Sequence, residues 1–186
     1  GKDLLESSPT PHGLGVREAV EEAIFIQANN RIFGVIFWFM VLGAGGAWLY
    51  RVSDMLRRRA AFEAARQGVP RIRGDLGSVL AFVHGVLSWL PARLTALAYA
   101  CAGSFEDAVG SWRSAVGRMG PATGVLDRSE DLLARVGKGS LQPSLVSVNL
   151  DTLDVATARG AWRIVQRSLW IWVAVIALLV ITGAAV

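Results

Sequence analysis

Charge is scarce in this sequence. Acidic and basic side chains make up 18% of its 186 residues, and 19 Lys and Arg against 15 Asp and Glu leave a net charge of only +4. The basic residues are too scattered to form a nucleic-acid-binding surface. There is one cysteine, Cys101, in an apolar stretch. It forms no intrachain disulfide and says nothing about redox compartment. Histidine is almost as rare, and His12 has no Cys, Asp or Glu at ligand spacing, so no metal or cofactor motif is visible. Gly137-Lys138-Gly139-Ser140 has the look of a phosphate loop, but the glycine required five residues before Gly137 is Leu132.

What the sequence has instead is apolar length. Hydrophobic residues make up 53%, mean hydropathy is +0.42, and seven tryptophans fall largely near the ends of long apolar runs. Ile32 to Tyr50 holds 19 uncharged residues between Arg31 and Arg51. As one helix it would cover roughly 28 Å, close to the hydrocarbon thickness of a bilayer. Trp48 and Tyr50 sit at its end, where amphipathic rings favour the headgroup level. Gly43, Gly45 and Gly46 give it a bare face that predicts close approach of a partner protein, unless they reflect only the tolerance of lipid-embedded helices for glycine. Leu76 to Gly103 is the second run, interrupted by His84 and by Trp89-Leu90-Pro91-Ala92-Arg93. An arginine at membrane depth costs roughly 2.5–3.5 kcal/mol unless it snorkels or finds a partner. Trp89 lies one turn away, within cation–π reach. The expectation is an inward-facing Arg93 paired with a polar group, Asp54 first and Glu22 or Asn30 otherwise. Ser168 to Val186 is the third run, again 19 uncharged residues, with Trp170 and Trp172 near its start.

Between these runs the chain is polar. Residues 1–31 form a Pro/Gly/Ser-rich lead that turns helical from Val16. Glu18, Glu21 and Glu22 share one helix face, and Gln27, Asn30 and Arg31 make a second polar patch. This is either a solvated face or the lining of a polar pocket at the bilayer edge. Residues 51–75 read as a basic loop, with seven arginines against Asp54 and Glu63 between Arg51 and Arg73. Such a loop stays in the cytoplasm by the positive-inside rule and has anionic lipid headgroups as neighbours. Residues 104–167 read as a helical extramembrane segment. One helix spans Ser104 to about Met119, Gly120-Pro121 breaks it, an amphipathic helix spans Val125 to Val136, and another runs from Asn149 into the last span. The fold class is all-α: a polytopic helical membrane protein with boundaries at 32–50, 76–103 and 168–186. If all three runs cross, the arginines of 51–73 and the cluster Arg159, Arg163, Arg167 lie on opposite sides. Either that cluster is tolerated outside or 76–103 dips in and returns.

Three stretches together resemble one family: RIFGVIFWFMVLGAGGAWLYR from Arg31 to Arg51, VLSWLPARLTALAYA from Val86 to Ala100, and VAVIALLVITGAAV at the C-terminus. The chain resembles AmpE, the inner-membrane signalling modulator associated with β-lactamase induction in Gram-negative bacteria, which is related to the cobalamin-biosynthesis proteins CbiB and CobD. Members carry a further N-terminal hydrophobic region, so the resemblance implies the C-terminal part of such a protein. The enzymes of the related branch join an aminopropanol-type group to a corrinoid carboxylate. They show E-N-x-x-D-G before the first run and N-T-L-D after its closing Tyr-Arg. Here those stretches read Ile26-Gln27-Ala28-Asn29-Asn30-Arg31 and Asp54-Met55-Leu56-Arg57. Ile26, Asn30 and Arg57 thus occupy carboxylate positions, and none can act as an anionic base or magnesium ligand. The resemblance therefore implies a non-catalytic regulatory or sensory protein of the inner membrane, with no catalytic residue, metal or cofactor. A corrinoid-pathway enzyme, or an accessory subunit of a larger membrane complex, are the alternatives. The pocket residues implied are Glu22, Gln27, Asn30, Tyr50, Arg51, Asp54, Trp89 and Arg93.

Overall fold

The computed structural model describes residues 16–66, 75–118, 124–141 and 150–182. The lead 1–15 with His12, the loop residues 67–74 and the Gly120-Pro121 break lie outside the described residues. The elements are α1 (Val16–Ala28), a π-turn (Asn29–Phe33), α2 (Gly34–Arg66), α3 (Asp75–Ala102), α4 (Phe105–Arg118), α5 (Val125–Ser140) and α6 (Leu150–Ile181), with no strand among the described residues. The fold is all-α. By length and composition, three helical segments could cross a membrane: Ala19–Glu63, Gly77–Ala102 and Ala158–Ile181.

The bundle is apolar outside and partly polar inside. On α3, Val79, Phe82, Val86, Leu90, Leu94 and Leu97 are exposed at helical spacing, while His84, Ser88, Ala92, Thr95, Ala96 and Tyr99 are buried on the opposite face. A helix in water would bury the first set. In lipid the outward stripe keeps its apolar surroundings, and the small inner residues let neighbouring backbones approach. α5 uses that closeness. A Cβ on Gly85 would lie 2.7 Å from the backbone nitrogen of Leu126, and one on Gly103 would collide with Ser140. The start of α5 thus meets the first half of α3 and its end meets the end of α3, so the two run side by side in the same direction. Phe25 of α1 lies against Gly137 of α5, and its ring meets Tyr99 at 5.1 Å. Phe33 continues the aromatic core to Tyr99 at 6.1 Å and to Trp172 of α6 at 5.9 Å.

Three expectations about the layout change. First, Ile32–Tyr50 is not one straight helix. Its backbone breaks at Gly43 (φ 65°, ψ −156°), a region open essentially to glycine alone. Beyond the break the chain turns back, and Tyr50 packs on Gly34 while its hydroxyl reaches Asn30 Oδ1 at 3.4 Å. A continuous helix would hold positions 34 and 50 about 24 Å apart. Gly46 serves this reversal too, since a Cβ there would sit 2.6 Å from the Trp38 carbonyl oxygen of the outgoing arm. Gly43 and Gly46 thus serve the hairpin itself, while Gly43 and Gly45 stay open on its outside. The reversal also lies here and not in 76–103, where α3 runs unbroken from Asp75 to Ala102 through Pro91.

Second, the basic loop is largely helix, because α2 continues to Arg66. Arg57 and Arg58 are turned into the protein, which leaves Arg51, Arg59 and Arg66 as the more exposed cations of this stretch. Third, the described part of 104–167, read above as a helical extramembrane segment, packs into the core of the bundle. α5 lies along α3, one of the membrane-length helices, and its Leu132, Leu133 and Val136 belong to the same core as Phe25 and Tyr99.

Candidate functional site

The interior of the bundle holds a polar network where α1, the π-turn, the returning arm of α2, α3 and α5 meet. The π-turn widens the helix locally, and both Asn29 and Asn30 are buried there, although neighbours on a regular helix diverge by about 100°. Asn29 Nδ2 donates to Asn30 Oδ1 and to Ser88 Oγ, each at 3.2 Å. The hairpin brings Tyr50, Ser53, Asp54, Arg57 and Arg58 to the same region. Ser53 Oγ donates to the Tyr50 carbonyl at 2.8 Å and lies 2.9 Å from His84 Nδ1. Since the serine proton goes to the carbonyl, the network assigns the imidazole proton to Nδ1, which donates to Ser53. His84 Nε2 is then an acceptor, buried without a hydrogen bond and 3.7 Å from Asp54 Oδ1.

Asp54 is the fully buried centre of the charges. Its Oδ1 accepts from Arg57, whose Nη2 lies at 3.0 Å and Nε at 3.2 Å, and its Oδ2 accepts from Arg58 Nε at 2.9 Å. Arg57 Nη2 also reaches Glu130 Oε1 of α5 at 3.1 Å, and Arg58 Nη2 donates to Gln27 Oε1 at 2.9 Å. Arg57 is thus the shared cation between two buried carboxylates on different helices. Two acids against two guanidiniums balance in charge, which is what burial requires. Both Asp54 and Glu130 are thus engaged by arginine. Among the described residues no three His, Cys, Asp or Glu side chains group as metal ligands. The carboxamides and the imidazole are less committed. Asn29 Oδ1, Asn30 Nδ2 and Arg58 Nη1 join His84 Nε2 as buried polar atoms without hydrogen-bond partners among the described residues.

A family model described as regulatory signalling modulator protein AmpE matches residues 16–186. The chain belongs to the AmpE family. This AmpE-family chain is also similar to the protein AmpE of Shigella flexneri, 28% identical over 181 residues and 95% of this chain. Two proteins described as cobalamin biosynthesis protein CobD match as well. The one from Chromobacterium violaceum is 30% identical over 91% of this chain, and the one from Stutzerimonas stutzeri is 33% identical over 54%. These alignments take in 58%, 55% and 31% of the relatives' own lengths, so the chain spans less than two thirds of each. No solved structure matches.

Of the eight pocket residues named from sequence, the AmpE-family fold gathers five: Gln27, Asn30, Tyr50, Arg51 and Asp54. Arg51 is at the margin, 3.6 Å from Asp54 Oδ2. Glu22 lies apart and accepts from Lys138 Nζ at 3.2 Å. Trp89 and Arg93 are not part of the network. Trp89 is 46% exposed on the apolar outer stripe, and Arg93 stacks on it with 4.0 Å from guanidinium carbon to ring centroid. Arg93 Nη1 donates to the Trp89 carbonyl at 2.9 Å, so the expected pairing with Asp54 gives way to contacts within its own helix turn. The cation–π contact is the one that one-turn spacing allows.

Pro91 has a different role. It cannot donate to the carbonyl four residues back, that of Leu87. Trp38 Nε1, from the outgoing arm of the hairpin, donates to that carbonyl at 3.0 Å. Sequence reasoning missed Asn29, Ser53, Arg57, Arg58, His84, Ser88 and Glu130 as network members. Glu130 carried a readable signal, since it stands between Leu126 and Leu133 on the apolar face of an amphipathic helix. His84 carried another, as the lone imidazole in an apolar run.

Proposed function

We propose that this chain is a non-catalytic regulatory protein of the Gram-negative inner membrane, multi-pass, with its sensing element in the buried network around Asp54. The observation that carries this reading is the engagement of Asp54 and Glu130 by arginine, beside polar atoms that have no hydrogen-bond partner among the described residues. Chemistry that runs on a carboxylate base or a carboxylate-bound cation needs a free acid. A sensor needs unfilled hydrogen-bonding capacity that a small polar ligand or a rearranged neighbour can complete. Arg57 has particular weight here. By resemblance it stands at a carboxylate position of the related synthases, and in this chain it bridges Asp54 and Glu130. Ile26, at another such position, is buried and apolar. Arg51, Arg59 and Arg66 then face anionic headgroups on the cytoplasmic side, by the positive-inside rule.

The alternative is a corrinoid-pathway enzyme, favoured by the 30% identity to a cobalamin biosynthesis protein over most of the chain. Complementation separates the two. Expressed in a strain lacking adenosylcobinamide-phosphate synthase, the full-length protein should not restore corrinoid-dependent growth. Restored growth that depends on Asp54 or Glu130 would establish the enzyme and end the regulatory reading.

A further inference from the structure

The same apolar run that composition offers as a crossing carries a different message in three dimensions. Arg31 and Arg51 bracket Ile32–Tyr50, and on a straight helix their Cα atoms would lie about 30 Å apart, one at each face of the bilayer. In the folded chain Tyr50 hydrogen-bonds Asn30, which places the two arginines at the same end. Farther along, Arg58 of the returning arm reaches Gln27 of α1, so the chain entering the hairpin and the chain leaving it stay side by side. Arg31 is exposed and the Arg51 side chain is 42% exposed. The tip side chains Phe39, Val41, Leu42 and Trp48 are exposed and apolar, with no charge anywhere between the two arginines.

We propose that Ile32–Tyr50 is a re-entrant hairpin that dips into one leaflet and returns, its tip against acyl chains and its two arginines on the anionic headgroups of that same leaflet. The lengths agree. The outgoing arm, positions 34 to 42, is about 13 Å long as a helix, and one leaflet of hydrocarbon is about 15 Å deep. The chemistry agrees as well: an uncharged tip meets hydrocarbon, and a cationic mouth meets phosphate. Unpaired backbone groups are costly in hydrocarbon, so a re-entrant segment must keep them few. Within α2 only Gly43 departs from helical geometry.

The test uses the full chain in a Cys101→Ser background, since Cys101 is itself exposed. Val20→Cys and Glu63→Cys, placed before and after the hairpin, are challenged with a membrane-impermeant maleimide in spheroplasts and again after permeabilisation. Both should react under the same condition, and Ala44→Cys at the tip should react poorly in both. Spin labels at Ile32→Cys and Val52→Cys in anionic nanodiscs should report a separation well below the roughly 30 Å of a continuous helix. Labelling of positions 20 and 63 from opposite sides, or a separation near 30 Å, overturns the hairpin. A tip that labels as readily as Glu63→Cys overturns its insertion into the leaflet.

Discussion

The contact between Trp38 and α3 gives the sharpest test of how this bundle is held together. Pro91 leaves the Leu87 carbonyl without its intrahelical donor, and the indole N–H of Trp38 supplies one at 3.0 Å. Trp38→Phe keeps aromatic bulk and removes only the donor. A carbonyl left unpaired in a part-buried, water-poor setting costs about 1–3 kcal/mol. Pro91→Ala restores a backbone N–H four residues from Leu87 and removes the need for the indole. The Trp38→Phe penalty should therefore fall by about 1 kcal/mol or more when Ala occupies position 91, a coupling within the range found for neighbouring residues. Unfolding of the four proteins of this cycle in mixed micelles, titrated with a denaturing detergent and followed by far-UV circular dichroism, measures the term. An equal cost of Trp38→Phe in both backgrounds would show that the indole acts by packing and refute the hydrogen-bond account.

The other expectations concern charge and backbone approach. Arg57→Leu takes the shared cation from Asp54 and Glu130 and should destabilise by about 3–5 kcal/mol, measured by the same titration; a loss under about 1 kcal/mol would mean the buried acids do not depend on it. Arg93→Leu should insert, fold and signal like the parent, because the hydrogen bond and ring contact of Arg93 among the described residues are with its own turn at Trp89; a misfolded variant in a protease-protection assay would point to an interior partner. Gly85→Ala, whose Cβ would meet the Leu126 backbone, should cost about 1–3 kcal/mol. Gly110→Ala, on the open face of α4, should instead gain up to about 1 kcal/mol of helix propensity. The two alanines behaving alike would undo the argument for close α3–α5 packing.

Composition and pattern alone determined the fold class and the family. Long uncharged runs have few outcomes other than helices in a membrane, because a backbone out of water must bond internally. The motifs Arg31–Arg51 and Val86–Ala100 are also long enough to carry the resemblance. Single polar residues in apolar context, such as Asn30 and His84, flagged an interior that is not wholly hydrocarbon. Tertiary structure decided the rest. Nineteen apolar residues satisfy a length criterion whether or not they bend, and one positive φ at Gly43 turns this run back on itself. That reversal is what brings Asp54, Arg57 and Arg58 to Gln27, His84 and Glu130, positions as many as 76 residues apart from Asp54 in sequence. Trp89 and Arg93 went the other way. Their neighbourhood in sequence suggested a site, but the phase of α3 turns them outward, and phase is set by which face meets α5 and the hairpin. Sequence names the residue types a site requires; the side of the helix on which each falls is settled by packing against partners that lie far along the chain.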